Sequence, residues 1–447
     1  MAKFDFKGSA IDFSRSSYEE TGAAINAIDN IYSYAITKNT SSKVSFWGYL
    51  YSGQRYSVSL NLSKRSNYSF TAKKLRLNLY SGNTLIENYT LKGSVKFNGT
   101  GITGGKITKE TYSINNDSGS YEASYKGSYN ILKVSRYTDN NNYGGLHAYI
   151  TRGNDIFNGT NYQDNIEAGE GNDIVNGKNG SDTIYGQNGN DKLNGQNGND
   201  TLIGGNDNDI LNGGTGNDDL VGGSGIDTAV FSSRNNTINL ETNIRQNTGD
   251  GQDVLTGIEN VNGGGGHDII TGNNSANKLN GGSGNDTLYG GLGDDRLVGG
   301  TGRDTAVFSS SDNLINLNTK KRQTTGDGRD ILTGIENVNA GGGNDIVTGS
   351  KGRNVLNGEA GDDVLYGGLG NDTLTGGSGD DIFKIKKGRG KALITDYTSG
   401  EDSIELLGGL TESDLTITYA NGDTKIRYGK DLMAIVQNTI ADDITFS

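Results

Sequence analysis

The spacing of apolar residues changes twice along the chain. In residues 1–150 the clearest pattern is alternation, with Val58, Leu60 and Leu62 and then Leu75, Leu77 and Leu79 at every second position. That is the period of a half-buried strand. It predicts a mostly antiparallel β domain, with one short helix over Ala23 to Ile28. From residue 151 to 383 the apolar residue comes once in nine: Ile184, Leu193, Leu202, Leu211, Leu220, Leu288, Leu297, Leu365 and Leu374. One inward side chain per short strand can fill only a narrow column. Stacked coils, burying a thin line of Leu and Ile between two short parallel sheets, satisfy that pattern. Residues 384–447 return to strands, over Ala392 to Tyr397, Ser403 to Leu407, Leu415 to Ala420, Thr424 to Tyr428 and Leu432 to Gln437. The expected fold class is therefore all-β throughout.

The polar residues of the middle segment keep the same count. An Asp recurs at every ninth position at Asp155, Asp164, Asp173, Asp182, Asp191, Asp200, Asp209, Asp218 and Asp227. A second run falls at Asp268, Asn277, Asp286, Asp295 and Asp304, and a third at Asp345, Asn354, Asp363, Asp372 and Asp381, making nineteen units. Glycines precede each Asp, and the apolar residue follows it by two positions, as in Gly213 to Val221 and Gly367 to Thr375. Glycines permit positive φ, so a six-residue stretch can turn tightly with its carbonyl oxygens facing inward. A longer repeat overlies the short one: Asp227 to Asp286 recurs at Asp304 to Asp363 with an offset of 77. Each copy holds an interruption, 41 positions from Asp227 to Asp268 and from Asp304 to Asp345. These read as longer coils bulging from one solenoid, a duplicated structural unit rather than a duplicated active site.

Charge divides the chain at the same places. The net charge of −13 is made of about +8 in residues 1–150, −19 in 151–383 and −2 in 384–447. Stacking would bring an Asp from every turn into two edge columns in which adjacent coils lie about 4.8 Å apart, where unneutralised carboxylates repel. A hard divalent cation removes the conflict. Ca²⁺ takes six to eight oxygen ligands from carboxylates and backbone carbonyls, whereas Mg²⁺ demands a rigid octahedron and retains its waters. Without the ion, such a glycine-rich, acidic segment cannot offset its chain entropy, so it is expected to be disordered without calcium and folded with it.

The units resemble the nonapeptide G-G-x-G-x-D-x-U-x of the RTX family, secreted proteins with hemolysin-type calcium-binding repeats. The resemblance spans residues 153 to 383. It implies a calcium-bound parallel β-roll in which two units make one coil and ions lie between turns on the same side. The implied metal ligands are Asp155, Asp173, Asp182, Asp191, Asp200, Asp209, Asp218, Asp227, Asp268, Asp286, Asp295, Asp304, Asp345, Asp363, Asp372 and Asp381. Turn carbonyls such as those of Gly214, Gly216, Gly282, Gly284, Gly291, Gly293, Gly368 and Gly370 would complete the shells. Asp164, Asp253 and Asp330 are further candidates. Lys178, Gln187 and Gln196 replace the second glycine, Tyr162 and Asp207 the third, and Asn277 and Asn354 the Asp, where weaker or absent ions are expected.

The resemblance also bears on the two ends. Residues 384–447 resemble the C-terminal region of RTX proteins, which carries an uncleaved type I secretion signal, through Ile394 to Ile404 and the acidic-then-apolar Asp442 to Ser447. A polar cap is also what an open-ended solenoid needs. Lys96 to Tyr112 resembles N-terminal modules of secreted RTX proteins. No apolar run is long enough for a membrane span, and Met1 to Ala10 lacks the core of a cleaved secretory signal. The expected partners are calcium, the type I secretion machinery and a surface polysaccharide, with no nucleic acid, and the expected location is extracellular or at the bacterial cell surface.

Catalytic motifs are scarce. With His147 and His267 as the sole histidines and no Cys, neither a zinc-protease H-E-x-x-H site nor a Cys nucleophile can be built, and there is no G-x-S-x-G elbow. Asp5, Asp12, Glu19, Glu20 and Asp29 could supply a glycosidase acid pair, though their spacing selects none. The basic first segment, with Trp47, Tyr49 and Tyr51 together, suits a carbohydrate surface as well as ordinary packing. Two functions remain: a calcium-stabilised surface or matrix protein, and a secreted glycan-active enzyme (hydrolase, lyase or epimerase) that uses the repeats for export and folding.

Overall fold

The computed structural model describes residues 153–388 and 390–447 in full and, between residues 43 and 150, the backbone of the strands. The helix expected at 23–28 and the acids between Asp5 and Asp29 lie outside the described residues, as does Tyr51. The chain divides into two compact units, residues 1–225 and 226–447.

The first unit contains an antiparallel meander of six strands, Lys43–Tyr49, Arg55–Ser66, Ser69–Ser81, Thr84–Asn98, Gly101–Asn116 and Gly119–Lys126. Both alternating segments of the sequence fall in it. Hydrogen bonding runs across the composition boundary near residue 150. The last meander strand pairs with Ile156–Asn158, and Asn142–Ile150 pairs in parallel with Asn165–Glu170. From there two parallel sheets grow by one strand per coil. Ile156–Asn158, Ile174–Asn179, Lys192–Asn197 and Ile210–Thr215 form one; Asn165–Glu170, Thr183–Asn188, Thr201–Asn206 and Asp219–Ser224 extend the other. Partners are 18 residues apart, as Ile174 and Lys192 are, so two nonapeptides make one coil. Phe157, Val175, Leu193 and Leu211 face Ile166, Ile184, Leu202 and Leu220, all 3% exposed or less.

The second unit repeats this architecture, its strands falling in four sheets. The long coils are more than bulges. In residues 305–336, the strands Thr305–Val307, Leu314–Asn316 and Arg329–Thr333 lie in three different sheets. Arg329–Thr333 pairs with Arg296–Thr301 and, with the antiparallel Gln323–Thr324, ends one sheet. Leu314–Asn316 begins another, continued by Ile346–Thr348, Val364–Tyr366, Ile382–Lys386 and Ser403–Leu407. Thr305–Val307 continues the third through Asn337–Asn339, Val355–Ala360 and Gly370–Ser378. The long coil therefore exchanges one face of the roll for a new one while the other runs on. Its length is 32 residues, from the pairing of Thr305 with Asn337. The first copy has the same offset, Thr228 pairing with Asn260, and a three-stranded set of its own in Thr228–Val230, Thr237–Asn239 and Gln252–Thr256. The sequence revealed the extra length; the exchange of faces depends on which strands pair.

At the C-terminal end Gly390–Ile394 pairs in parallel with Asp431–Val436, and Asp423–Tyr428 and Thr416–Ala420 add to it antiparallel. The ends of these strands lie within three residues of those of the segments expected from sequence. The chain's last residues add to Ser403–Leu407, with Ile404 N–H donating to Thr445 O at 2.8 Å and Ser447 N–H donating to Ile404 O at 3.2 Å. A parallel roll has open edges, and these additions cover both growing sheets.

A core one side chain wide has no neighbouring layer to relax into the space left by a truncation. Leu365→Ala is expected to lower the stability of the calcium-loaded chain by about 2–5 kcal/mol in urea melts. Leu292→Ala, at a residue 53% exposed, should change it by less than about 0.5 kcal/mol.

Candidate metal centre

Each regular turn is shaped by glycine at two places. Gly214 and Gly216 have φ of 93° and 138°, and a Cβ on Gly216 would stand 1.6 Å from the carbonyl oxygen of Gly198 in the coil before. Gly282 and Gly284, Gly291 and Gly293, and Gly368 and Gly370 share the left-handed backbone. Lys178, Gln187, Gln196, Asp207 and Glu359 adopt it too, with φ of 76° to 87°. These departures therefore keep the turn and accept its strain, on the order of 1 kcal/mol or more each.

The Asp that closes the turn is buried and points along the stack. Its Oδ1 accepts the backbone N–H of the Asp one coil earlier. Asp155 donates to Asp173, Asp173 to Asp191 and Asp191 to Asp209, at 2.7 to 2.8 Å. Asp164, Asp182, Asp200 and Asp218 form the facing column at the same distances. In the second unit Asp268, Asp286 and Asp304 make one ladder, and Asp345, Asp363, Asp381 and Asp402 another. Two acids outside the nine-residue count belong to these ladders. Glu336 Oε2 accepts from Asp304 N–H at 3.0 Å and Glu259 Oε2 from Asp227 N–H at 2.8 Å, each at the end of a long coil. The sequence carried their signal in the shared Gly-Ile-Glu-Asn-Val of the two copies, and Asp402 was hidden by a spacing of 21 residues.

The second carboxylate oxygen separates the turns into two kinds. In Asp173, Asp182, Asp191, Asp200, Asp268, Asp286, Asp295, Asp304, Asp345, Asp363 and Asp381 the Oδ2 is buried without a hydrogen-bond partner. In the irregular turns the protein closes on that oxygen. Thr160 N–H donates to Asp164 Oδ2 at 2.6 Å and its hydroxyl to Oδ1 at 2.9 Å. Thr325 donates its hydroxyl to Asp330 Oδ2 at 2.5 Å, Thr248 does the same to Asp253, and Thr398 N–H donates to Asp402 Oδ2 at 2.6 Å. Asn277 and Asn354 are closed as well. Each Oδ1 accepts a turn N–H, from Asn273 or Ser350, and each Nδ2 donates to a glutamate carbonyl, that of Glu259 at 2.8 Å or Glu336 at 2.6 Å. An Asp there would set a carboxylate against that carbonyl, which is the physical reason for the change.

The open turns fit a hard cation. The partner-free Oδ2 marks these turns, and it lies beside a carbonyl of the next coil: a Cβ on Gly177 would fall 2.2 Å from Asp182 Oδ2 of its own turn and 3.0 Å from Gly195 O. Gly358 has the same relation to Asp363 Oδ2 and Gly376 O, at 2.0 and 2.5 Å. Among the described residues no three acidic or histidine side chains converge on a point, so carbonyls must supply most of any ligand shell. That mixture of few carboxylates and many carbonyls suits Ca²⁺. Burial drives the carboxyls up from their ordinary range, Asp182 and Asp191 to about 8 and Asp173, Asp295 and Asp363 to about 7. A buried carboxylate that resists ionisation at neutral pH is one that lacks a counterion.

His267 has no such role. Its Nδ1 accepts Asn285 N–H at 2.8 Å, the bond that Asn154 and Asn172 make elsewhere through their amide oxygens. His147 lies on Asn142–Ile150, where its backbone pairs with Asn165.

Stacked nonapeptide coils with buried, cation-seeking aspartates define a calcium-binding parallel β-roll. The profile of the RTX calcium-binding nonapeptide repeat, four copies long, matches residues 149–184, 167–202, 194–229, 253–288, 271–306, 324–356, 339–374 and 348–383. The repeat region belongs to the RTX family. The matches leave out 230–252 and 307–323, which fall within the two long coils. None of the curated proteins matches the chain. Among solved structures, the extracellular lipase LipA from Serratia marcescens is similar at 17% identity, with a TM-score of 0.17. The match covers 43% of this chain and 38% of the length of the lipase.

Two outcomes follow from the raised carboxyls. A folded-state pKa above the unfolded value gives stability that is complete below about pH 4 and lost as pH rises through about 6 to 8. Without calcium, far-UV circular dichroism should therefore show more β structure at pH 5 than at pH 8. With calcium the order reverses: each carboxyl that must release a proton should raise the calcium midpoint about tenfold per pH unit below its pKa. Separately, Asp286→Asn should weaken calcium-induced folding several-fold, and Asp164→Asn, in a turn that closes on itself, should leave the midpoint unchanged.

Proposed function

We propose that this RTX protein leaves the cell unfolded through type I export machinery, folds on meeting calcium outside, and serves as a calcium-held surface or matrix protein. The observation that carries this reading is the column of open, buried carboxylates. A fold that buries so many of them is unfavourable in a low-calcium cytoplasm and becomes favourable where calcium is abundant. Bound calcium would neutralise the Asp columns and tie adjacent coils together. The residues that would hold it are the open Asp of each ladder with the glycine carbonyls of the same and neighbouring turns. Extracellular modules bind calcium at about 10⁻⁴ to 10⁻³ M, so the ion concentration outside cells is itself the folding signal.

The basic, tyrosine-rich residues 1–150 would supply the contact with an acidic surface polysaccharide, since their charge is opposite to that of the repeats. The absence of a zinc-protease or lipase motif from the sequence favours binding over catalysis. The test is fractionation of the producing culture with and without an EGTA wash, followed by immunoblotting. Protein retained on cells and released by EGTA is the expected result. Protein free in the medium in both cases would overturn the surface role in favour of a secreted glycan-active enzyme.

A further inference from the structure

In the second unit two sheets have their first strand inside a long coil, Thr237–Asn239 in one copy and Leu314–Asn316 in the other. The residue before each strand, where the regular units carry Asp, is Asn236 or Asn313. Both are buried, at 1% and 3% exposure. Each backbone N–H donates to the Asp of the next coil, Asp268 or Asp345, as in every ladder. The side-chain amide then does what no Asp can do. Nδ2 of Asn236 donates to Arg234 O at 2.7 Å, Gly263 O at 2.9 Å and Asp268 Oδ1 at 2.8 Å. Nδ2 of Asn313 has the same three kinds of acceptor, Ser311 O at 2.6 Å, Ala340 O at 3.0 Å and Asp345 Oδ1 at 2.9 Å.

One carbonyl from its own turn, one from the next coil and one carboxylate from the next coil surround each nitrogen. In an open turn the corresponding carbonyl of the next coil lies beside the Oδ2 of the Asp that stands at the asparagine's position, as Gly195 O lies beside Asp182 Oδ2. We propose that the amides of Asn236 and Asn313, whose Nδ2 stands where a regular Asp places its partner-free Oδ2, do the work of the cation, so that each long coil starts its new column without an ion. The physical reason lies in the position. The first residue of a new column has no earlier coil to donate an N–H to its carboxylate, and an Asp there would lack the bond that steadies Asp268, Asp286, Asp345 and Asp363. An amide brings its own donor. The partner-free Oδ1 of both residues agrees with selection for the nitrogen rather than the oxygen. At these two turns one residue thus replaces the metal, and the two points where the roll changes face are held by covalently attached donors.

This rests on calcium occupying the open turns, and the experiment separates the two claims. The full chain and its Asn236→Asp, Asn313→Asp and double variants are dialysed to equilibrium against saturating calcium, and bound calcium per chain is counted by atomic emission, with circular dichroism as the check on folding. The expected result is one additional ion for each single variant and two for the double. A folded variant with an unchanged count overturns the proposal. A second readout needs no variant: crystals of the unaltered chain with terbium in place of calcium, examined by anomalous scattering. Peaks beside Asp286 and Asp363 and none within contact of the Asn236 and Asn313 side chains are expected. A peak at either asparagine, its amide oxygen turned inward as a ligand, overturns the proposal. Peaks absent from every turn overturn the calcium reading and this proposal with it.

Discussion

The structure depends on one arrangement of a carboxylate. Each regular Asp gives one oxygen to the backbone of the coil before and turns the other toward the glycine carbonyls of its own edge. The first bond sets the register of the stack at 18 residues. The second oxygen makes the stack conditional, because a buried carboxylate facing carbonyls is unfavourable until a cation joins them. Stacking and ion demand are thus two halves of one side chain. Asn277 and Asn354 replace both: each amide oxygen accepts an N–H of its own turn, each amide nitrogen donates to a glutamate carbonyl of the coil before, and their N–H groups still donate along the ladder, to Asp295 and Asp372.

The repeat region was legible in the sequence because its grammar is local. Nine residues hold a whole turn and a whole strand, so the count alone gave the inward Leu and Ile and the edge columns of Asp, and the resemblance to the RTX repeat supplied two units per coil. What the sequence concealed was long-range. Asp164 has the right spacing, yet Thr160 satisfies it, because Gly-Thr replaces the two glycines before it. Glu259, Glu336 and Asp402 lack the spacing, yet they sit in the ladders, because a longer side chain or a longer loop reaches the same point. The exchange of faces at the long coils was hidden for the same reason. Strand pairing between residues 32 or 35 apart leaves no mark on a nine-residue period.

The interruptions are therefore as specific as the repeats. The two copies agree in their terminal Glu, in the Asn that follows it, in the Thr that caps the third strand's Asp and in the Asn that begins the new face. These residues are scattered through each copy, and each makes the same hydrogen bond in both. A long insertion in a solenoid is often a loop carried on the surface. This one is a joint, and the same joint was kept when the segment was duplicated.

The difference in coil length has a mechanical consequence. Hydrogen bonds in a solenoid run along its axis, so a chain pulled from its ends peels away coil by coil. A regular coil of 18 residues releases roughly 60 Å of extended chain, and a long coil of 32 residues roughly 110 Å. The contour length of the repeat region is stored in packets of two sizes, the larger placed where one face gives way to another.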